Sequence, residues 1–285
     1  MSIERVGVVG CGLMGSGIAE ICARAGLDVV VREIDVEAIS GGQARIQSSL
    51  DRARRRAKAS DEEVEAALAH LRYTTDVGNL ADRQIVIEAV SEYEPLKLEV
   101  FATLDKVVAD DAILASNTSA IPIMKLAMAT GRPEQVVGLH FFSPVPVLKL
   151  VELVASLLTS AETIETIQAF AEDTLDKRVI RSKDRAGFIV NALLIPYLVS
   201  AIRMLESGFA SAEDIDSGMV LGCNHPMGPL ALADFIGLDT TLAAARSLYE
   251  EFKEPLYAPP PLLARMVEGG LLGRKTGHGF YGYDT

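Results

Sequence analysis

Short, almost wholly apolar runs recur along the first two thirds of the chain and alternate with longer segments of helical periodicity. The runs have the length of strands, and near-continuous apolar character is typical of strands buried on both faces. We predict strands at residues 5–9, 28–31, 85–90, 113–115, 136–140, 148–154 and 178–182. Strands of this kind separated by helices predict an α/β fold, a doubly wound and mostly parallel sheet with helices on both faces.

The connecting segments predict helices at residues 14–25, 36–72, 95–108, 122–129 and 160–176. The polar stretch 36–72 is predicted to be helical in two segments. Ser60 with Glu63 three residues later is typical of a capping box that opens the second segment. The two segments therefore predict a helical hairpin inserted into the sheet domain.

From Gly187 onward the chain shows helical patterns only, predicted at residues 188–205, 212–219, 228–253 and 259–269. The first of these is long and apolar, but it contains Asn191, Pro196 and Arg203, which favour a buried helix over a membrane span. A helix of this kind often packs against a second subunit. We therefore predict a sheet domain at residues 1–185 and an all-α domain at residues 186–285 that forms a homodimer.

Composition narrows the possible partners and the compartment. The 285-residue chain carries a formal net charge of −12, which argues against nucleic acid or an anionic membrane as its main partner. Its three cysteines form no Cys-x-x-Cys pair, so neither a disulfide framework nor a zinc site is expected. The N-terminal residues lead directly into a strand without a targeting pattern. We expect a cytoplasmic protein without a metal site.

A glycine-rich turn connects the first predicted strand to the first helix. Glycines in the pattern Gly-x-Gly-x-x-Gly, at positions 10, 12 and 15, allow a tight turn, close approach to a pyrophosphate and helix packing, and an acid follows eighteen residues later. That acid, Glu33, would accept hydrogen bonds from the adenosine ribose and disfavour a 2′-phosphate, although Arg32 precedes it. The context predicts a Rossmann-type domain that binds NAD. Its candidate cofactor residues are Gly10, Gly12, Leu13, Met14, Gly15 and Glu33.

An imidazole and a carboxylate lie on successive apolar runs. His140 ends one predicted strand, Pro144 and Pro146 enforce an extended turn, and Glu152 lies on the next run. A carboxylate that orients a histidine ring and stabilises its charged form suits general base catalysis. Residues 116–119 also follow a predicted strand, at the carboxyl ends of the strands, where ligands of such folds bind.

A basic cluster lies at the end of the first segment of the hairpin, at residues 52–58. Its residue types alone favour a solvated helix face. The alternative is an anchor for the phosphates of a large ligand such as coenzyme A.

Taken together, these motifs resemble the L-3-hydroxyacyl-CoA dehydrogenase family, closest to its short bacterial members that act on 3-hydroxybutyryl-CoA. The resemblance extends from Val6 to Tyr281. It rests on the glycine loop and on residues 88–92, 116–119, 140–142, 187–191, 225–229 and 273–277, which occur in the same order as in the family.

The resemblance implies an NAD-dependent oxidoreductase that interconverts 3-hydroxyacyl-CoA and 3-oxoacyl-CoA. It implies that His140 is the base, that Glu152 pairs with it, and that Ser119 and Asn191 hold the reacting oxygens. It implies cofactor contacts at Glu92, Lys97, Ser119, Ser143 and Lys275, and substrate contacts at Ser49, Arg56, Ser119 and Asn191. It thereby favours a coenzyme A anchor as the function of the basic cluster.

The chain departs from the family pattern at a few positions. Ser143 stands where the family commonly has Asn, so a contact made by that amide is lost or mediated by water. Glu33 stands in place of Asp, Ala120 in place of Ser, and Arg56 in place of Lys. None of these changes removes a catalytic group.

Three other functions are compatible with parts of this pattern. The first is the same chemistry on an acyl carrier protein thioester, since the basic cluster would also suit an acidic carrier. The second is a dehydrogenase of free β-hydroxyacids, against which the His140–Glu152 pair argues. The third is a non-catalytic cofactor-binding relative, against which the intact set of predicted catalytic residues argues.

Overall fold

The structure is a computed structural model that describes residues 2–283. These residues divide into two compact units, one ending at Arg185 and the other beginning at Ala186. The first unit contains the sheet and the second is helical.

The first unit is built on one eight-stranded sheet in the order β3-β2-β1-β4-β5-β6-β7-β8. Its strands are β1 (Arg5–Val9), β2 (Asp28–Arg32), β3 (Leu71–Thr74), β4 (Ile85–Glu88), β5 (Ile113–Ser116), β6 (Val136–Phe141), β7 (Leu150–Ala155) and β8 (Arg178–Lys183). The strand order reverses between β1 and β4. Ligands of doubly wound sheets bind at such a switch point, beyond the carboxyl ends of the strands.

All neighbouring strands are parallel except β6 and β7, which are antiparallel. The central strands are buried on both faces, in agreement with their apolar sequences. The reversal at β7 follows from the short connection at residues 142–149, because a parallel neighbour would need a long crossover.

Among the described residues, the first unit contains six α-helices: α1 (Leu13–Arg24), α2 (Val36–Arg55), α3 (Asp61–Ala69), α4 (Glu94–Val107), α5 (Ile123–Ala127) and α6 (Ala161–Ala169). The predicted capping box is present at the start of α3, where the Ser60 side chain accepts a hydrogen bond from the Glu63 amide and the Glu63 carboxylate accepts one from the Ser60 amide. α2 and α3 form the predicted hairpin.

The described part of the second unit contains five α-helices: α7 (Val190–Glu206), α8 (Ala212–Cys223), α9 (Pro229–Ile236), α10 (Leu238–Phe252) and α11 (Pro261–Glu268). The buried face of α7 packs with α9, α10 and α11 around a separate core. Within residues 2–283, the structure contains no helix long and apolar enough to cross a membrane.

The predicted architecture of a mostly parallel sheet followed by a helical region is confirmed, whereas two element predictions were wrong. The helix predicted to reach residue 72 ends at Ala69, and Leu71–Thr74 instead forms β3, which pairs with β2. The single helix predicted at 228–253 is two helices. Gly237 separates them with φ of +104°, a conformation that glycine adopts without strain.

Candidate active site

The glycine turn between β1 and α1 has the geometry that its spacing predicted. Gly10 has φ of +89°. A Cβ atom on Gly15 would lie 1.8 Å from the carbonyl oxygen of Gly10, so only glycine allows the first turn of α1 to pack here. A Cβ on Gly12 would meet nothing within 4 Å, so open space lies above this backbone. The start of α1 therefore presents main-chain amides to open space, an arrangement that suits a pyrophosphate.

Three further predicted cofactor residues lie around this turn. Leu13, in the first turn of α1, is 71% exposed, whereas Met14 is partly buried against the core. Glu33 directly follows β2, and its carboxylate accepts hydrogen bonds from the amides of Cys11 and Ile34. The carboxylate is thereby held beside the glycine turn. Each of its oxygens has a second lone pair that could accept a ribose hydroxyl.

The predicted pair of His140 and Glu152 is formed across the antiparallel strands β6 and β7. The two residues are direct cross-strand partners, and His140 Nδ1 lies 2.7 Å from Glu152 Oε2. Glu152 is fully buried and His140 is 6% exposed. Because an ionised carboxylate only accepts hydrogen bonds, Nδ1 carries the proton in the neutral ring and Nε2 carries the lone pair. Nε2 is therefore the atom that can accept a proton from a substrate.

The loop after β5 lies next to β6 and carries Ser119, which is half-buried. Glu92 organises this loop: its Oε1 atom accepts hydrogen bonds from the Thr118 hydroxyl and from the amides of Ser119 and Ala120, at 2.9 and 3.1 Å for the two amides. Glu92 thus fixes the backbone around Ser119.

A buried ion pair lies beneath Glu92. The Lys97 ammonium is 1% exposed and donates to Glu88 Oε1 at 2.6 Å, and it lies 3.2 Å from Glu92 Oε2. Ser116 donates to the other oxygen of Glu88 at 2.6 Å. Breaking such a buried pair typically costs about 3–5 kcal/mol. The pair therefore joins β4, α4 and the end of β5, and Lys97 acts on the site at least through Glu92.

Two polar residues at these strand ends, Glu88 and Asn117, were not among the predicted site residues. Glu88 closes an otherwise apolar strand, and a charged residue in that position was a usable signal. Asn117 accepts a hydrogen bond from the Phe141 amide at 2.9 Å, next to His140. No local pattern indicated that contact, because it depends on the pairing of β5 with β6.

The predicted coenzyme A contacts lie on α2 and at its end. Ser49 is half-buried, and Arg56 follows the last residue of the helix and is exposed. Arg54 pairs with Asp51 and Asp61, whereas Arg56 has no carboxylate partner among residues 2–283. Arg56 thus lies seven residues after Ser49, just beyond the C-terminal end of α2.

The remaining predicted site residues occupy a loop and the second unit. Ser143 lies in the connection between β6 and β7, three residues after His140. Asn191 is half-buried in the first turn of α7. Lys275 lies in a short turn, where its ammonium contacts both carboxylate oxygens of Asp239, one of them at 2.6 Å. In the described part of the chain, no group of His, Cys, Asp and Glu side chains is placed to hold a metal ion.

Comparison with known proteins identifies the family of the chain. Residues 5–185 match the family described as 3-hydroxyacyl-CoA dehydrogenase, NAD binding domain, and residues 187–283 match the 3-hydroxyacyl-CoA dehydrogenase C-terminal domain. A 3-hydroxybutyryl-CoA dehydrogenase of Mycobacterium tuberculosis is 58% identical over 99% of both chains.

Two solved structures extend this similarity to the fold. M. tuberculosis FadB2 superposes with a TM-score of 0.99 at 57% identity, and (S)-3-hydroxybutyryl-CoA dehydrogenase PaaH1 of Ralstonia eutropha with 0.95 at 47%, each covering 100% of both chains. The two domain matches together span nearly the whole chain, and the relatives are matched over their full length. The chain therefore belongs to the 3-hydroxyacyl-CoA dehydrogenase family, whose members are NAD-dependent oxidoreductases.

Proposed function

We propose that this chain catalyses the reversible, NAD-dependent oxidation of short 3-hydroxyacyl-CoA thioesters, with 3-hydroxybutyryl-CoA as its substrate. The observation that carries the proposal is the buried pair of His140 and Glu152. The pair lies at the end of the sheet where the parallel strands have their carboxyl ends, and the glycine turn lies at the same end. The names of the two relatives that act on 3-hydroxybutyryl-CoA support this choice of acyl chain.

His140 accepts the proton of the substrate 3-hydroxyl through Nε2, and Glu152 holds the ring in that tautomer and stabilises the imidazolium that forms. Ser119 and Asn191 donate hydrogen bonds to the reacting oxygens. Bound NAD supplies the acceptor for the hydride that leaves C3. Glycines 10, 12 and 15 with Leu13, Met14 and Glu33 hold the dinucleotide, assisted by Glu92, Lys97, Ser143 and Lys275.

The test of this function is NADH oxidation by the purified protein with acetoacetyl-CoA as the substrate. Free acetoacetate, longer 3-oxoacyl-CoAs and an acetoacetyl carrier protein are the comparison substrates. Highest kcat/KM with acetoacetyl-CoA supports the proposal. A higher value with the carrier protein thioester would instead assign the enzyme to carrier-bound substrates, and no turnover of any of them would indicate a non-catalytic relative.

NADH should be preferred over NADPH because the Glu33 carboxylate lies beside the glycine turn and would repel a 2′-phosphate. We expect Glu33→Ala to weaken NADH binding by about tenfold, the value of one charge-assisted hydrogen bond or two neutral ones. Turnover at saturating NADH should change less. Measurement of kcat and KM for both dinucleotides checks this, and a wild-type kcat/KM for NADPH equal to that for NADH would contradict it.

Within the basic cluster, Arg56 should contact the phosphates of coenzyme A. Arg56→Ala is expected to raise KM for acetoacetyl-CoA several-fold and to leave KM for acetoacetyl-pantetheine, which lacks the nucleotide, unchanged. Arg54→Ala is the matched control, because that guanidinium is already paired with Asp51 and Asp61. Equal effects of Arg56→Ala on both substrates would show that the cluster is only a solvated helix end.

We also propose a cytoplasmic homodimer formed through the second unit. Apolar side chains remain exposed there, including Leu193 and Met204 of α7, Leu221 of α8 and the neighbouring Phe209. These apolar side chains are available for contact with a second copy of the chain. Light scattering at micromolar concentration should give twice the 30.5 kDa chain mass, and a monomer would refute the proposal. The three cysteines are unpaired, which suits a reducing compartment.

A further inference from the structure

A buried lysine outside the predicted site holds the connection between the two catalytic strands. Residues 142–149, here called the β6–β7 loop, join β6 to β7. Lys177 directly precedes β8 and is 8% exposed. Its ammonium donates hydrogen bonds to the carbonyl oxygens of Val145 at 2.6 Å and Leu148 at 2.8 Å. One side chain thus satisfies two main-chain acceptors of the β6–β7 loop.

The β6–β7 loop contacts the helix that begins at the glycine turn. A Cβ on Gly17 of α1 would lie 2.8 Å from Val145 Cβ, so the loop packs directly on the backbone of this helix. The same loop begins two residues after His140 and ends three residues before Glu152. Its position therefore bears on both the dinucleotide-binding helix and the catalytic pair.

The surroundings of Lys177 make its charge sensitive to pH. Burial, which is the largest cause, acts together with the positive charges of Lys149 and Arg24 and against Asp176 and Cys22, and the pKa of this lysine is lowered to about 8. Lys149 lies at the end of the β6–β7 loop and pairs with Asp176. Charge-assisted hydrogen bonds are about twice as strong as neutral ones, so loss of the proton weakens the hold on the two carbonyl oxygens.

We propose that Lys177 is a positioning residue for the dehydrogenase reaction. Its ammonium holds the β6–β7 loop against α1, which places Ser143 beside the bound dinucleotide and keeps His140 aligned with Glu152. The part that concerns the catalytic pair rests on the proposed function, whereas the part that concerns dinucleotide binding rests on the family assignment alone.

The first test replaces the lysine with an uncharged residue of similar length. Lys177→Met should weaken NADH binding at pH 7 several-fold, because the loop that packs on α1 loses two charge-assisted hydrogen bonds, and it should lower kcat for acetoacetyl-CoA with little change in KM for that substrate. The chain contains no Trp whose quenching could report binding. NADH binding is therefore followed by the fluorescence of the dinucleotide itself. A folded variant with wild-type affinity for NADH and wild-type kcat, and only a lower melting temperature, would overturn the proposal.

The second test uses pH and does not require Lys177→Met to fold. Wild-type affinity for NADH should fall as the pH rises through about 8, the pKa of Lys177. Lys149→Met removes a neighbouring positive charge and should move this transition to higher pH while leaving affinity at pH 7 unchanged. A wild-type affinity that is flat between pH 7 and 10, or a transition that does not move in Lys149→Met, would overturn the proposal.

The two tests also separate this inference from the proposed function. If the wild type fails to reduce acetoacetyl-CoA but its NADH affinity follows the expected pH dependence, the substrate assignment is wrong and the role of Lys177 in dinucleotide binding is supported. If acetoacetyl-CoA is reduced and neither Lys177→Met nor pH alters NADH affinity, the substrate assignment is supported and the role of Lys177 is refuted.

Discussion

Replacing His140 with Gln is expected to lower kcat by about 10²–10⁴-fold, the range that a positioned general base contributes. KM for acetoacetyl-CoA should change little, because the ring acts on the oxygen at C3 rather than on the bulk of the ligand. His70→Gln is the matched control, since His70 lies at the end of α3. Steady-state kinetics in both directions measure the effect.

The companion variant Glu152→Gln should also lower kcat severely. Glu152 acts through the ring that it contacts at 2.7 Å, so its effect requires His140 to be present. The double variant should therefore be no slower than the slower single variant, because residues that act as one unit are not additive. If the two losses multiply, Glu152 has an independent role and the two residues do not form a catalytic pair.

The glycine turn allows a second experiment in which two similar substitutions should fail for different reasons. Gly15→Ala places a Cβ 1.8 Å from the Gly10 carbonyl oxygen, so the backbone must shift and the protein should be strongly destabilised. Gly12→Ala meets no protein atom within 4 Å, so the protein should unfold at the wild-type temperature. Its methyl group would nevertheless obstruct the pyrophosphate, and NADH affinity should fall by about 10–100-fold, as for an overpacking cost of 1–3 kcal/mol.

Gly218→Ala controls for a methyl group added in open space, because Gly218 also has no neighbour within 4 Å and lies in α8 of the second unit. This variant should be as stable as the wild type or slightly more stable, since Ala favours helices over Gly. Thermal unfolding and NADH titration of the three variants separate the two roles. Wild-type NADH affinity in Gly12→Ala would show that the dinucleotide does not pass over this backbone.

Much of the first unit could be predicted because its signals are local. A strand, a glycine turn, a helix and an acid within residues 5–33 are each specified by their own backbone requirements and apolar spacing. The capping box at Ser60 is local in the same sense. The prediction failed at β3, because a four-residue strand at the edge of the sheet is defined by its pairing with β2 rather than by a pattern of its own.

The sequence by itself determined the dinucleotide turn, the apolar strands and the presence of a histidine and an acid on successive runs. Only the tertiary structure decided that β7 runs antiparallel to β6, which makes Glu152 the direct partner of His140. It also decided that Lys97 and Lys177 are buried and bind protein acceptors instead of water. Register and burial depend on contacts between residues far apart in the chain, and no local periodicity encodes which acceptor a lysine will reach.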